Sequence, residues 1–182
     1  GIDAARKHLA YVPDSVPMLK LLGKLYFTSG DYENAGVVFE QAKKLSEPTP
    51  ALLRQLAQVH IRRRSQQKAL DSINELLVKD RSTDSLTVAL EGYLSFSQDA
   101  KTIDTVTLLR KRGETHPFFH YAAGLAHARL EHFQEAEAEL NHILDHPVYG
   151  DDALFELGVA LGRQEKRKAD AKQAFARLLV RD

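Results

Sequence analysis

Apolar residues recur along this chain at helical spacing, not in the alternation of strands. Leu19, Leu22, Gly23 and Tyr26 share one helical face, and Ala35, Val38, Phe39 and Ala42 mark a second stripe. Between them stands the turn Gly30-Asp31-Tyr32. The segment LLGKLYFTSGDYENAGVVFEQA, Leu21 to Ala42, therefore predicts two helices joined by a short polar connection. Small residues on a helix face let a second helix cross closely, which gives Gly23 and Ala35 a mechanical reason.

These landmarks return at a fixed distance. Gly23 is followed 34 residues later by Ala57, Ala35 by Ala69, and Phe39 by Ile73. Ala57, Ala69 and Ile73 are in turn followed, 67 residues on, by Gly124, Ala136 and Leu140. A last step of 34 reaches Gly158, and steps of 35 reach Ala171 and Phe175. The 67-residue interval holds two periods, so a degenerate unit is expected between Asp84 and His116. Prolines at 13, 48, 50, 117 and 147 fall near the ends of units, where helices start or stop. The expected organisation is one array over 1–182, with repeats at 16–49, 50–83, 84–116, 117–150 and 151–182. Residues 1–15 are expected to be the tail of a truncated repeat.

The order small, aromatic, turn, alanine, aromatic at a period near 34 resembles the tetratricopeptide repeat over nearly the whole chain. The resemblance is good in residues 21–42 and in YAAGLAHARLEHFQEAEAEL, Tyr121 to Leu140. It is fair in LAQVHIRRRSQQKALDSINELL and ELGVALGRQEKRKADAKQAFARLL, and poor in TVALEGYLSFSQDAKTIDTVTLL, where a glutamate or a one-residue shift disturbs the close-approach position. The family tryptophan is replaced by Leu19, Leu53, His120 and Leu154. The resemblance implies an all-α fold: a right-handed superhelical solenoid of antiparallel helix pairs, about five repeats plus a partial N-terminal one. The first residue is Gly1 and the only methionine is Met18, so a piece of a longer protein is expected. AARKHLAYVPDS resembles only the end of a second helix, and FARLLVRD closes on apolar residues without a polar cap. Flanking repeats are the expected explanation.

In such arrays the first helix of each pair lines the concave surface. The candidate partner-binding residues implied there are Lys20, Lys24, Arg54, Gln55, Gln58 and Arg62, then Phe118, Tyr121, Leu125, Phe155 and Val159. Phe27, Val88 and Phe96 belong to the same surface. This predicts a groove that is basic and amidic towards the N-terminus, apolar and aromatic towards the C-terminus. Some family members grip a C-terminal carboxylate with lysines and asparagines. Here Lys20 is present, but Lys24, Gln55, Ser85 and Ala89 stand at the other places, so the set is incomplete.

Composition narrows the chemistry. Lys+Arg and Asp+Glu are equal at 25 each, so there is no global field for nucleic acid or an acidic membrane. Cysteine is absent, excluding disulfides, thiolate metal sites and cysteine nucleophiles. No apolar run approaches the roughly 18–20 residues of a membrane span, and no signal peptide opens the chain. Six of eight histidines lie between His116 and His146, with His116/His120 and His142/His146 each four apart. No zinc-protease motif accompanies them, and His60, His120 and His127 occupy places where the repeat packs large side chains. The run Arg62-Arg63-Arg64 fits a helix end, where cations meet terminal carbonyls, and no aromatics interleave for base stacking. EHFQEAEAEL reads as a solvated outer face. No phosphate loop or Ser-His-carboxylate motif appears. No catalytic residue, cofactor or metal is expected. The expected partner is a protein or peptide, not nucleic acid, with a homo-oligomer also possible. The expected function is a non-catalytic scaffold or adaptor within a larger assembly. Alternatives are a self-association module, or the regulatory arm of an enzyme whose catalytic domain lies elsewhere. The compact, cysteine-free sequence leans bacterial, and bacterial arrays of this kind serve in envelope, pilus, secretion and polysaccharide export systems.

Overall fold

The computed structural model describes residues 1–180, and among them every regular element is helical. The elements are α1 (Ile2–Tyr11), α2 (Val16–Thr28), α3 (Tyr32–Leu45), α4 (Pro50–Arg62), α5 (Gln66–Lys79), α6 (Thr83–Ser95), α7 (Asp99–Lys111), α8 (Pro117–Arg129), α9 (Phe133–Asn141), α10 (Gly150–Gly162) and α11 (Lys168–Leu179). A short 3-10 turn, Glu165–Arg167, precedes α11. The all-α expectation is met. The chain falls into two compact units, Gly1–Phe96 and a second beginning at Ser97.

The turns inside the pairs share one geometry. Gly30, Arg64, Ser97 and Glu131 all have positive φ, at 81°, 55°, 52° and 62°. The following amide reaches back five residues: Asp31 N–H donates to Tyr26 O at 2.9 Å, Ser65 to His60 O at 3.0 Å, and His132 to His127 O at 2.9 Å. This is the left-handed helix terminus that satisfies otherwise orphaned carbonyls. Glycine fits it without strain, but three of these four positions carry side chains. Helix starts are fixed by polar caps: Asp31 Oδ1 accepts from Asn34 N–H at 3.1 Å, and Thr49 Oγ1 from Leu52 N–H at 3.3 Å. His116 Nδ1 accepts from Phe118 N–H at 3.1 Å. Pro50 and Pro117 begin α4 and α8, where the missing donor costs nothing.

In the first unit, Ala35, Phe39 and Ala42 of α3 are buried against Leu19, Leu22 and Tyr26 of α2, and α1 adds Ala5 to the same core. Leu53, Ala57 and Ile61 of α4, Ala69, Ile73 and Leu76 of α5, and Val88, Ala89 and Tyr93 of α6 form the next cluster. In the second unit Leu140, Ile143 and Leu144 join Leu154, Leu157 and Leu161 of α10. Leu19, Leu53 and Leu154, in the tryptophan places, are at most 2% exposed.

The landmark residues are the points of closest approach. A β-carbon built on Gly124 would stand 2.7 Å from the Leu140 side chain, and one on Gly158 2.6 Å from the Phe175 ring. The degenerate third repeat differs. Its glycine, Gly92, meets Ile73 of α5 and Ile61 of α4, so α6 uses it to pack back onto the preceding pair. Ion pairs lace neighbouring pairs within each unit. Lys43 meets Glu75 across α3 and α5, Lys79 meets Glu47 at 2.8 Å, and Arg110 grips Glu139 with two bonds of 2.7 Å. Arg167 reaches Glu137 at 3.0 Å and Arg129 reaches Asp99 at 3.3 Å. These links join residues about one repeat apart in sequence, 29 to 32 positions.

Two minor readings gain detail, and the Arg62–Arg64 run does fall at the end of α4. The Arg62–Arg64 run does not simply sit at terminal carbonyls: Arg63 pairs with Glu33 of α3 at 2.5 Å, and Arg64 adopts the left-handed turn. EHFQEAEAEL is not merely a solvated face, because its Glu137 and Glu139 hold the cross-pair bonds just described.

Candidate functional site

The first-helix faces of the first unit enclose a recess of about 450 Å³ between α4 and α6. Arg54, Gln55 and Gln58 line one side; Asp84, Thr87, Val88 and Glu91 line the other. Helical spacing explains the α4 set, since residues three and four apart project from the same face. Arg54 is engaged: its Nη1 donates to Asp80 Oδ2 at 2.9 Å and to Ser85 Oγ at 3.0 Å. The Ser85 hydroxyl donates to the same carboxylate at 2.5 Å. Bonds from Ser85 and Ser82, with Arg54 nearby, hold the Asp80 carboxyl down at about 2. Arg54 therefore braces α4, the α5–α6 connection and α6.

Gln55 and Gln58 are half-buried, and among the described residues their amides have no hydrogen-bond partner. An amide offers two donors and an acceptor, a match for an extended peptide backbone. Burial pushes the Glu91 carboxyl up, opposed by the Arg62 charge. Lys20 is half-buried and Lys24 exposed, both on α2, the first helix of its pair. Sequence reasoning missed Thr87 and Glu91, which lie in the degenerate third pair where the register was hardest to read.

In the second unit the aromatic residues cluster around Tyr149, just ahead of α10. Tyr121 stacks on it at 5.9 Å between ring centroids, His146 at 5.2 Å, and Phe118 lies tilted at 6.1 Å. Tyr149 itself was not singled out from the sequence, because it falls between helices. Burial, then Asp152 and Glu156, pushes the Tyr121 hydroxyl up, so two carboxylates stand near this ring. Phe155 is 50% exposed and meets Phe175 edge-on at 6.0 Å. Val159 is half-buried. Leu125 is only 8% exposed, so its side chain serves packing. Val88, at 6% exposed, is placed similarly.

The histidines take separate structural tasks. His120 Nδ1 lies 2.8 Å from Glu139 Oε2, within the Arg110–Glu139 pair, and its ring is 4.7 Å from that of His142. Burial pushes Glu139 up, but the bonds from Arg110 and His120 leave it below its ordinary value. Among the described residues no group of three or more His, Asp or Glu could hold a metal ion. No described helix is long and apolar enough to cross a membrane.

Comparison with known proteins accords with this architecture. A family profile described as tetratricopeptide repeat matches residues 18–49, spanning α2 and α3. Among solved structures, YrrB, described as a tetratricopeptide-repeat protein with an unusual peptide-binding site, superposes with a TM-score of 0.76 at 14% identity. That match covers 98% of this chain and 92% of YrrB. The C-terminal part of a repeat-containing protein from Cytophaga hutchinsonii gives 0.74 at 14% identity, over 98% of this chain and 71% of that one. A thermophilic protein of the same kind from Thermus thermophilus gives 0.60 at 19% identity, over 91% and 100%. At such identities the likeness is one of fold. No curated protein matches by sequence.

Proposed function

We propose that this chain, whose residues 18–49 match a tetratricopeptide-repeat profile and whose fold is similar to that of solved tetratricopeptide-repeat proteins, is a non-catalytic adaptor holding an extended peptide or protein segment against its first-helix faces. The observation that carries this reading is the recess between α4 and α6, where the unengaged amides of Gln55 and Gln58 face across to Thr87 and Glu91. A rigid surface of fixed amides pairs with a peptide backbone at little ordering cost to the scaffold. The aromatic group of Phe118, Tyr121 and Tyr149 in the second unit supports an apolar or aromatic anchor there. A peptide-binding site in YrrB, a protein of similar fold, is consistent with the assignment.

The test is selection of binders from a displayed peptide library on the intact chain, followed by affinity measurement of selected peptides against variants. Tyr121→Ala with Phe155→Ala should weaken peptides held by the second unit, and separately Gln55→Ala with Gln58→Ala those held by the first, while helix content by circular dichroism is unchanged. Affinity unchanged in both double variants, or no selectable binder, overturns the reading.

A further inference from the structure

A second recess, of about 480 Å³, lies on another face of the first unit, formed by α3, the C-terminal end of α4 and the start of α5. His60 of α4 and Arg63, which caps that helix, make its floor; Gly36, Val37, Glu40 and Lys44 of α3 form one wall, and Lys68 of α5 the other. On α4, His60 lies across the helix from Gln55, so this recess is separate from the first-helix surface.

Gly36 lets α3 approach α4 closely at the edge of this recess. A β-carbon on Gly36 would stand 3.2 Å from Arg63 Nη1 and 3.3 Å from Val59 Cγ1, so the glycine seats directly on the floor. Lys43–Glu75 and Glu47–Lys79 pair α3 with α5 at a separation of 32 residues. Two turns earlier in the same register Lys68 stands opposite Gly36, which has no side chain to meet it. Among the described residues neither Lys44 nor Lys68 has an ion-pair partner. Of the two carboxylates present, Glu33 is engaged by Arg63 at 2.5 Å, and Glu40 lies 3.5 Å from His60 Nε2. His60 is 3% exposed, and among the described residues its Nδ1 has no hydrogen-bond partner. An unbonded ring nitrogen in a buried residue that lines a recess with two unpaired lysines points to a ligand that would bond it.

We propose that this recess binds a compact oxyanion, a phosphate or carboxylate group, held between Lys44 and Lys68 above the His60 ring. Burial pushes the His60 ring below its ordinary value; Glu40 opposes this, while Arg63 at the end of α4 and Lys68 on α5 add to it. With Nε2–H directed at Glu40, Nδ1 carries only a lone pair. An oxyanion supplies the opposing charge, so the ring takes up a proton. Nδ1 then becomes a donor with an acceptor, and all parties are satisfied together. Binding therefore tightens as pH falls through the range in which the ring takes up that proton.

The experiment titrates the intact chain with inorganic phosphate, and in a second arm with N-acetyl-glutamate amide, following the His60 ring protons by NMR and the heat of binding by calorimetry. The expected result is a saturable shift of the His60 resonances at one site per chain, tighter at pH 6 than at pH 8 for the glutamate probe, whose charge is constant there. The exposed-lysine variant Lys44→Ala/Lys68→Ala should weaken it about tenfold with an unchanged circular dichroism spectrum. His60→Gln should remove the pH dependence seen with the glutamate probe, whose carboxylate keeps one charge over this range. Saturation by the glutamate probe identifies a protein side chain as the source; saturation by phosphate alone identifies a free or esterified phosphate. No saturable His60 shift with either probe, or the same affinity in the lysine variant, overturns the proposal. Because the recess shares no residue with the first-helix surface, that outcome leaves the proposed function standing.

Discussion

Gly23 and Phe39 are in such close contact that a β-carbon on Gly23 would overlap three atoms of the ring. The sequence landmarks of the first repeat are thus the two halves of one contact: an absent side chain on α2 and the aromatic ring of α3 that fills its place.

Gly23→Ala tests the contact directly. In an exposed helix this change stabilises by about 1 kcal/mol through helix propensity. Here the ring, itself 1% exposed, must shift within a packed core, an overpacking that costs about 1–3 kcal/mol. The net effect should be destabilising, measurable as a lower urea midpoint with unchanged slope. Adding Phe39→Leu should recover part of the loss, since a smaller side chain relieves the crowding.

Arg64 and Glu131 hold left-handed backbone at the turn position that Gly30 occupies without strain. Arg64→Gly and Glu131→Gly should each stabilise by roughly 0.5–1 kcal/mol, the relief of strain exceeding the entropy added to the unfolded chain. A rise of a few degrees in the melting temperature is expected. Gly30→Ala should move it the other way.

Asp80 supplies a pH dependence with a defined sign. Its carboxyl is lowered from an ordinary 3.8 to about 2, chiefly by the Ser85 and Ser82 hydrogen bonds. A carboxyl depressed on folding adds stability that is present above its unfolded value and lost as pH falls through the folded one. That contribution should therefore disappear between about pH 4 and pH 2. Asp80→Asn should flatten this part of the stability curve, measured by chemical denaturation at stepped pH. An unchanged slope would show that the carboxyl titrates normally.

Gln55→Ala should weaken a selected peptide about tenfold if its amide makes a bidentate backbone contact, about 1–1.5 kcal/mol. Val37→Ala should not, because that residue lines the other recess, on α3. Equal losses in both variants would assign the peptide to a surface other than the α4–α6 recess.

Helix-pair architecture was legible because the close-approach residues impose a period. Where a pair depends on a glycine or alanine under a large apolar side chain, the position tolerates almost nothing else, and the spacing is kept in Gly23, Ala57, Gly124 and Gly158. The third pair escaped that reading for a physical reason: Gly92 serves contacts with the preceding pair, while Glu91 faces the recess. The candidate surface was legible only in part. Spacing identifies which face of α4 Arg54 and Gln58 share, but not that Arg54 is held by Asp80 and Ser85, residues more than two dozen positions away. Nor does spacing separate Leu125, buried, from Phe155, half exposed. Tyr149 was hidden because it belongs to no helix face.

The ion pairs that join neighbouring helix pairs span only about one repeat of sequence. A ribosome releasing this chain would deliver both ends of each such link within seconds of one another. Early sections could dock while later ones were still being made, and the low contact order that results favours rapid assembly.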